Sequence, residues 1–160
     1  MLVPEGRHEI TTEGGLDVAG QEARLREVVA RLGHAGIVTS AFIDAELPQV
    51  EAAARIGVRV CEIHTGPYAH AFYSRGRDPE SPSVVAELEK IRIAGAAVRA
   101  AGMRFNAGHA LNYFNVQPVA ALPGIRELHI GHAIVSRAIF VGMREAVAEM
   151  KRLMREAQRR

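Results

Sequence analysis

Several features that mark special classes of protein are scarce or missing in this chain of 160 residues. It has one cysteine, Cys61, which excludes an internal disulfide framework and is typical of a reducing compartment, so we predict a cytoplasmic location. No apolar run reaches the roughly 18–20 residues that span a bilayer. The first residues also lack the layout of a signal peptide. We therefore expect no membrane partner.

Aromatic residues and strong net charge are also scarce. Tryptophan is absent, aromatic residues make up 5% of the chain, and the net charge is only +2. The basic residues that cluster near the C-terminus have no aromatic residues among them, which favours a solvated helix end over a nucleic-acid surface. With 48% hydrophobic residues, the composition is that of an ordinary globular protein. We predict one domain over residues 1–160.

Apolar spacing and turn residues predict alternating strands and helices. The predicted strands are 37–43, 58–64, 103–107 and 127–131, and the predicted helices are 16–35, 47–56, 83–101, 116–122 and 134–157. Leu2 and Val3 are interpreted as the stub of a fifth strand, and a break in the last helix is expected near Gly142. Residues 65–83 are rich in glycine and proline and predict a loop or lid.

Strands that alternate with helices indicate an α/β fold with parallel pairing. An open doubly wound sheet and part of a (β/α)₈ barrel both fit this pattern. The predicted strands end in polar residues suited to a barrel mouth, namely Glu62, His64, Asn106 and His129. We therefore favour an incomplete (β/α)₈ (TIM) barrel, since a complete one needs at least about 200 residues.

Two segments with a Gly-His pair stand out as candidate functional turns. Residues 106–110 read Asn-Ala-Gly-His-Ala, and residues 130–133 read Ile-Gly-His-Ala. Small residues between a strand and a helix let backbone N–H groups approach an anion, and the helix N-terminus favours negative charge. His109 can exchange a proton near neutral pH, although its ring could instead cap the next helix. Gly131 and His132 are interpreted as a phosphate-binding turn.

Other polar residues carry weaker signals. Glu62 and His64 are two apart on one strand and therefore share a face, where a carboxylate could act in catalysis or make a structural contact. Thr11 and Thr12 could bind a phosphate or cap the following helix. The spacing of four histidines matches no zinc signature, so we expect no bound metal; these are His64, His109, His129 and His132. No serine nucleophile motif is present.

Beyond these local features, the chain resembles the pyridoxine 5′-phosphate synthase family over nearly its whole length. The residues that carry the resemblance are Val-Pro-Glu at 3–5, Thr-Thr-Glu-Gly-Gly-Leu-Asp-Val at 11–18, Phe-Ile-Asp at 42–44, Glu-Ile-His-Thr-Gly at 62–66, Asn-Ala-Gly-His at 106–109, Ile-Gly-His-Ala-Ile at 130–134 and the helix at 146–154. The segment at 11–18 is the most specific.

The resemblance implies a barrel with extra helices, a homo-octamer and the last step of de novo vitamin B6 synthesis. That reaction joins 3-amino-2-oxopropyl phosphate to 1-deoxy-D-xylulose 5-phosphate and yields pyridoxine 5′-phosphate, phosphate and water. No cofactor is implied. The implied roles are proton donor for His109, transition-state stabiliser for Glu62, contact with the deoxyxylulose phosphate for Thr11, and binding of the aminoketone phosphate for Ala110, Gly131 and His132.

The chain departs from the family pattern in three places. Position 110 is alanine where glycine is usual, which serves equally well unless φ is positive there. The segment 73–83 looks longer than is typical. The resemblance begins inside the fourth strand, so the chain would correspond to strands 4 to 8 and would lack the histidine and glutamate bases of the first three βα units.

We therefore expect a fragment that is inactive by itself. The alternatives are a phosphate-binding half-barrel without turnover and a different barrel enzyme acting on sugar phosphates. A purely structural role fits less well, because polar residues gather at the strand ends.

Overall fold

The computed structural model describes residues 1–4 and 14–159. Its elements alternate along the chain as the apolar spacing predicts. They are α1 (Glu22–His34), β1 (Ser40–Ile43), α2 (Leu47–Ile56), β2 (Val60–His64), α3 (Gly66–Ser74), α4 (Pro82–Ala100), β3 (Arg104–Gly108), α5 (Val116–Ala120), β4 (Ile125–His129), α6 (His132–Val141) and α7 (Met143–Ala157).

The four strands form one parallel sheet in the order β1-β2-β3-β4. Leu2 adds a parallel bridge to Ala41 at the outer side of β1. Its N–H donates to the carbonyl of Ser40 at 2.7 Å, and its carbonyl accepts from the N–H of Phe42 at 3.0 Å. The expected stub of a fifth strand is therefore confirmed. Strands that follow one another in space as in sequence are typical of a singly wound barrel, whereas a doubly wound sheet reverses direction.

The two faces of the sheet differ in chemistry. The outer face belongs to the buried core that α2 and α4 cover, with Ala41, Ile43, Cys61, Ile63, Phe105 and Ala107. The inner face carries one register row of Phe42, Glu62, Asn106 and Glu127. A parallel sheet whose strands lie side by side in sequence order, with helices on the outer face, is the arrangement of an incomplete (β/α)₈ barrel, as predicted.

A bulge in β4 adjusts the pairing of the last two strands. Phe105 pairs with Ile125, but Asn106 pairs with Glu127, so Arg126 is an extra residue on β4. Beyond the bulge, His129 lies beside Gly108. The bulge therefore puts Glu127 and His129 on the inner face.

Local signals place several helix ends where they were predicted. Pro48 lies in the first turn of α2, and Gly57 ends that helix with φ +85°. Gly142, with φ +81°, separates α6 from α7 at the expected break.

The prediction of a loop over residues 65–83 is wrong, because residues 66–74 form α3. Pro67 lies in its first turn, where the missing N–H costs nothing. Tyr68, Ala69 and Phe72 are buried on one side of α3, so core packing stabilises a helix that the glycine and proline content had concealed.

Strand boundaries differ more modestly from the prediction. Strand β1 starts at Ser40, three residues later than predicted, and Ile37 and Val38 before it are exposed. Strand β4 starts two residues earlier than predicted. Across the described residues, no helix combines the length and apolar character needed to cross a membrane.

Candidate active site

A cavity of about 580 Å³ opens at the carboxyl ends of the strands. It brings together five of the six residues singled out from the sequence. These are Glu62, His109, Ala110, Gly131 and His132. Thr11 lies outside the described residues. The cavity wall also includes the N-terminal residues Met1 and Val3 and the inward-facing Phe42 and His129.

Glu62 is a buried carboxylate at the floor of this cavity, with 4% of its surface exposed. One of its oxygens accepts a hydrogen bond from Nδ1 of His129. Its other oxygen lies against Gly108, where an added Cβ would approach it to 2.2 Å. Gly108 therefore leaves the space that the carboxylate occupies, and His129 supplies the partner that a buried charge requires.

Asn106 links the buried part of the inner face to its exposed edge. Its Nδ2 donates to Glu127 at 3.1 Å, while Nε2 of His129 lies 3.5 Å from the same Glu127 oxygen. The Oδ1 of Asn106 is buried and has no hydrogen-bond partner among the described residues. Asn106, Glu127 and His129 thus form a chain of polar contacts along the inner face, behind the part of His129 that lines the cavity.

His109 is half-buried at the end of β3, with its ring between two others. The His64 ring packs edge-on at 4.9 Å between centroids, and Phe42 lies at 6.1 Å. Burial lowers the pKa of His109, and the neighbouring His64 lowers it further. A lowered pKa favours the neutral imidazole, in which one ring nitrogen donates a hydrogen bond and the other accepts one.

His64 itself is held from the opposite side by Asp44. Its Nδ1 donates to Asp44 Oδ1 at 2.8 Å, and the same oxygen accepts the N–H of Gly15 at 3.0 Å. His64 is 5% exposed. The sequence predicts Glu62 and His64 on one face. Glu62 lines the cavity, whereas His64 lies behind the ring of His109, which does line it.

The turn after β3 has left-handed backbone without glycine. His109 has φ +82° and Ala110 has φ +57°. The φ of position 110 is therefore positive, which is the condition under which alanine does not replace glycine without strain. Left-handed backbone costs a residue with a Cβ about 1–2 kcal/mol, so this turn is strained and must be held by its surroundings.

The two Gly-His segments lead into different local structures. The first does not open a helix, because α5 begins only at Val116 with Asn115 as its N-cap; the idea that His109 caps the next helix is wrong. The second opens α6 directly, with Gly131 at the N-cap position. The first helical hydrogen bond of α6 runs from Val135 N–H to Gly131 O, which leaves the N–H groups of residues 132–134 available to an anion.

The end of α3 and the turn that follows it, residues 73–77, lie next to the wall of the cavity. The guanidinium of Arg77 lies 4.5 Å from the Phe114 ring and 5.4 Å from the Tyr73 ring. The Tyr73 hydroxyl accepts from Nδ2 of Asn112, a residue of the cavity wall, at 2.7 Å. Residues 73–77 thus contact the site from outside.

No three His, Cys, Asp or Glu side chains converge as a candidate metal site within residues 1–4 and 14–159.

Comparison with known proteins identifies the family. The model of the family described as "Pyridoxal phosphate biosynthesis protein PdxJ" matches residues 1–156. The chain belongs to the PdxJ family. Similar proteins include the pyridoxine 5′-phosphate synthase of Azoarcus sp. (strain BH72), 78% identical over 98% of this chain and 63% of that protein. The chain therefore spans less than two thirds of the length of this relative.

Two further pyridoxine 5′-phosphate synthases fit the same picture. The protein of Aromatoleum aromaticum is 77% identical over 98% of this chain and 62% of its own length. The more distant protein of Rhodopirellula baltica is 55% identical over 96% of this chain and 59% of its own length. This PdxJ chain and its relatives thus share sequence over almost all of the residues present here.

Sequence reasoning did not assign a role to several residues around this PdxJ site. His129 pairs with Glu62, Asp44 holds His64, and Thr65 and Asn115 bond to the turn after β3. A signal for His129 was present, because it lies two residues after Glu127 and at the end of a strand. Asp44 and Thr65 bond to partners far away in sequence, whereas Asn115 bonds to Ala110, five residues before it.

Proposed function

We propose that this chain supplies part of the active site of pyridoxine 5′-phosphate synthase, which condenses 3-amino-2-oxopropyl phosphate with 1-deoxy-D-xylulose 5-phosphate. The observation that carries the proposal is the single cavity lined by Glu62, His109, Ala110, Gly131 and His132. The named relatives, which cover nearly the whole chain, support the same reaction. Both substrates are small phosphorylated molecules, and the cavity volume suits ligands of that size.

In this proposal the phosphate of the aminoketone lies between two backbone sites. The N–H groups at the start of α6 and those near Ala110 are hydrogen-bond donors that do not ionise near neutral pH, so they bind an anion over a wide pH range. Gly131 has no atom within 4 Å of the position of a Cβ, so its surroundings are open to a ligand.

Proton transfer and charge stabilisation fall to two side chains. His109, which lies on the cavity wall, donates a proton to a leaving oxygen. Glu62 stabilises positive charge that develops on the iminium-like nitrogen during condensation, because a buried carboxylate acts strongly on a nearby cation. Thr11 is proposed to contact the phosphate of the second substrate.

The proton acceptors of the family pattern are not among these 160 residues. We therefore expect the chain, expressed at this length, to bind phosphate without turnover. A chimera that joins it to the unmatched part of the Azoarcus protein should form pyridoxine 5′-phosphate. In the chimera, Glu62→Gln and His109→Asn should each reduce kcat by about 100-fold or more.

Two results would contradict this proposal. Robust turnover by the 160-residue chain alone would exclude the inactivity. A folded chimera without activity, or one active on other sugar phosphates only, would favour the half-barrel or a different barrel enzyme.

The proposal includes a cytoplasmic homo-octamer. Helix α6 supports contact between copies, because Ile139 and Phe140 are 79% and 83% exposed. Phe140→Asp should lower the mass of the assembly that the chimera forms, as measured by light scattering. Arg144→Ala, at a nearby exposed position, should leave that mass unchanged.

A further inference from the structure

The turn that leads from β3 into the cavity is held by side chains that lie behind it. His109 and Ala110 adopt left-handed backbone, which is unfavourable for residues with a Cβ. Neither Thr65 nor Asn115 is part of the cavity wall, and both are completely buried. Their hydrogen bonds converge on three consecutive carbonyls of this turn.

Thr65 binds the first two carbonyls. Its Oγ1 lies 2.7 Å from the carbonyl oxygen of Gly108 and within hydrogen-bond distance of the carbonyl of His109. Its backbone N–H also donates to the Gly108 carbonyl at 2.9 Å. One hydroxyl proton is thus shared between two acceptors that only the bent turn brings together.

Asn115 binds the third carbonyl and is itself fixed on both sides. Its Nδ2 donates to the carbonyl of Ala110 at 3.1 Å, and its Oδ1 accepts the N–H of Asn112 at 2.7 Å. The hydroxyl of Tyr68 donates to the backbone carbonyl of Asn115 at 2.9 Å, and burial raises the pKa of that hydroxyl to about 12, so it remains a donor.

The carbonyls determine where the N–H groups point. In a trans peptide the C=O and the following N–H are directed oppositely. Carbonyls of residues 109 and 110 that face the buried donors of Thr65 and Asn115 therefore direct the N–H groups of residues 110 and 111 away from those donors. The N–H of His109 faces the neighbouring strand β4, where Gly108 is paired with His129. The N–H groups of Ala110 and Leu111 have no acceptor among the described residues, and both residues line the cavity. Successive free N–H groups in left-handed backbone form an anion-binding concavity.

We propose that Thr65 and Asn115 are positioning residues that aim the N–H groups of Ala110 and Leu111 at an anionic group of the substrate. The inference rests on the proposed function, because a phosphate is the anion expected there. It assigns the geometry of the turn to side chains that touch no substrate.

Nuclear magnetic resonance on the ¹⁵N-labelled 160-residue chain tests the positioning and the anion separately. Three-bond couplings of His109 and Ala110 report φ without any ligand. Titration with inorganic phosphate then reports binding through the amide shifts of Ala110 and Leu111. The amides of His132 and Ala133, at the start of α6, report the other half of the proposed phosphate site.

The variants are matched to single hydrogen bonds. Thr65→Val removes the hydroxyl at nearly constant volume, and Thr65→Ser restores it. Asn115→Asp removes the donor to Ala110 but keeps the acceptor for Asn112. We expect Thr65→Val and Asn115→Asp to shift the couplings away from positive φ and to weaken phosphate binding roughly tenfold. Thr65→Ser should resemble the wild type.

Each outcome decides one of the two questions. Wild-type couplings in both Thr65→Val and Asn115→Asp would overturn the positioning. Altered couplings without any phosphate shift in the wild type would support the positioning but contradict the proposed anion site. If Thr65→Val does not fold, Asn115→Asp and its coupling at Ala110 make the same comparison. Equal loss of binding in Thr65→Ser and Thr65→Val would also count against the hydroxyl.

Discussion

The turns after β3 and β4 face the same cavity but are built in opposite ways. The first has two left-handed residues with side chains, held by buried hydrogen bonds from behind. The second has Gly131 with an ordinary φ of −106° and empty space around it, and it leads straight into α6. One turn depends on its surroundings for its shape, whereas the other takes its shape from the helix that it opens.

This contrast shows that glycine content is a poor guide to where backbone freedom is needed. Gly131 has a negative φ that any residue can adopt. Ala110 has φ +57°, a left-handed conformation that favours glycine. Substitutions in and beside the two turns test this difference, from the largest expected effect to the smallest.

The strongest test changes Gly108, at the base of the strained turn. A Cβ at this position would lie 2.2 Å from Glu62 Oε1 and 3.1 Å from the Cβ of His129. We expect Gly108→Ala to displace the buried carboxylate from His129 and to lower the free energy of unfolding by about 2–3 kcal/mol. Urea unfolding measures this. In a Glu62→Ala background the cost should fall by at least half, and equal costs in both backgrounds would exclude this clash as the cause.

Relief of the backbone strain should act in the opposite direction. Because Ala110 has φ +57°, Ala110→Gly should raise the free energy of unfolding by about 1 kcal/mol. Ala121→Gly, in ordinary helical backbone after α5, is the matched control and should be destabilising. Thermal unfolding of both variants checks the sign. Destabilisation by Ala110→Gly would mean that position 110 is not left-handed in solution.

A smaller effect is expected from the titration of His109. Folding lowers the pKa of the His109 ring, so the neutral ring stabilises the folded chain at pH values above the pKa that the ring has in the unfolded chain. This stabilisation is lost as the pH falls through the lower pKa that the ring has in the folded chain. His109→Asn, which tolerates left-handed backbone, should flatten this part of the stability profile in urea unfolding at several pH values. An unchanged profile, or a ring that titrates above the ordinary imidazole value in ¹H–¹³C spectra, would contradict this.

The second turn should respond least to a change of backbone freedom. A Cβ at Gly131 meets no atom within 4 Å, and φ is negative. We expect Gly131→Ala to change the free energy of unfolding by no more than about 0.5 kcal/mol. A loss comparable to that of Gly108→Ala would show that the two turns are not built differently.

Local signals were sufficient for much of the fold. Helix α2 was predicted to the residue because Pro48 and Gly57 mark its ends without help from the rest of the chain. Helix α3 was missed for the complementary reason. It is stabilised by burial of Tyr68 and Phe72, and its glycine and proline give the local pattern of a loop.

The candidate site divides along the same line. Alternation along β2 and the position at the end of β3 single out Glu62 and His109, both of which line the cavity. The contact from Thr65 to Gly108 joins residues 43 apart, and that from His129 to Glu62 joins residues 67 apart. No local pattern encodes such distances, so the supporting residues could be found only in three dimensions.

The bulge at Arg126 has a consequence for how insertions and deletions are tolerated. In β-strands, function and packing occupy alternate positions, so a shift of one residue exchanges them. If β4 paired regularly from Ile125 onward, with no bulge, Leu128 would stand beside Gly108 in the place of His129. The start of α6 would move along the strand direction by about 3.3 Å. The bulge thus sets the register of β4 so that Glu127 and His129 stand beside Asn106 and Gly108.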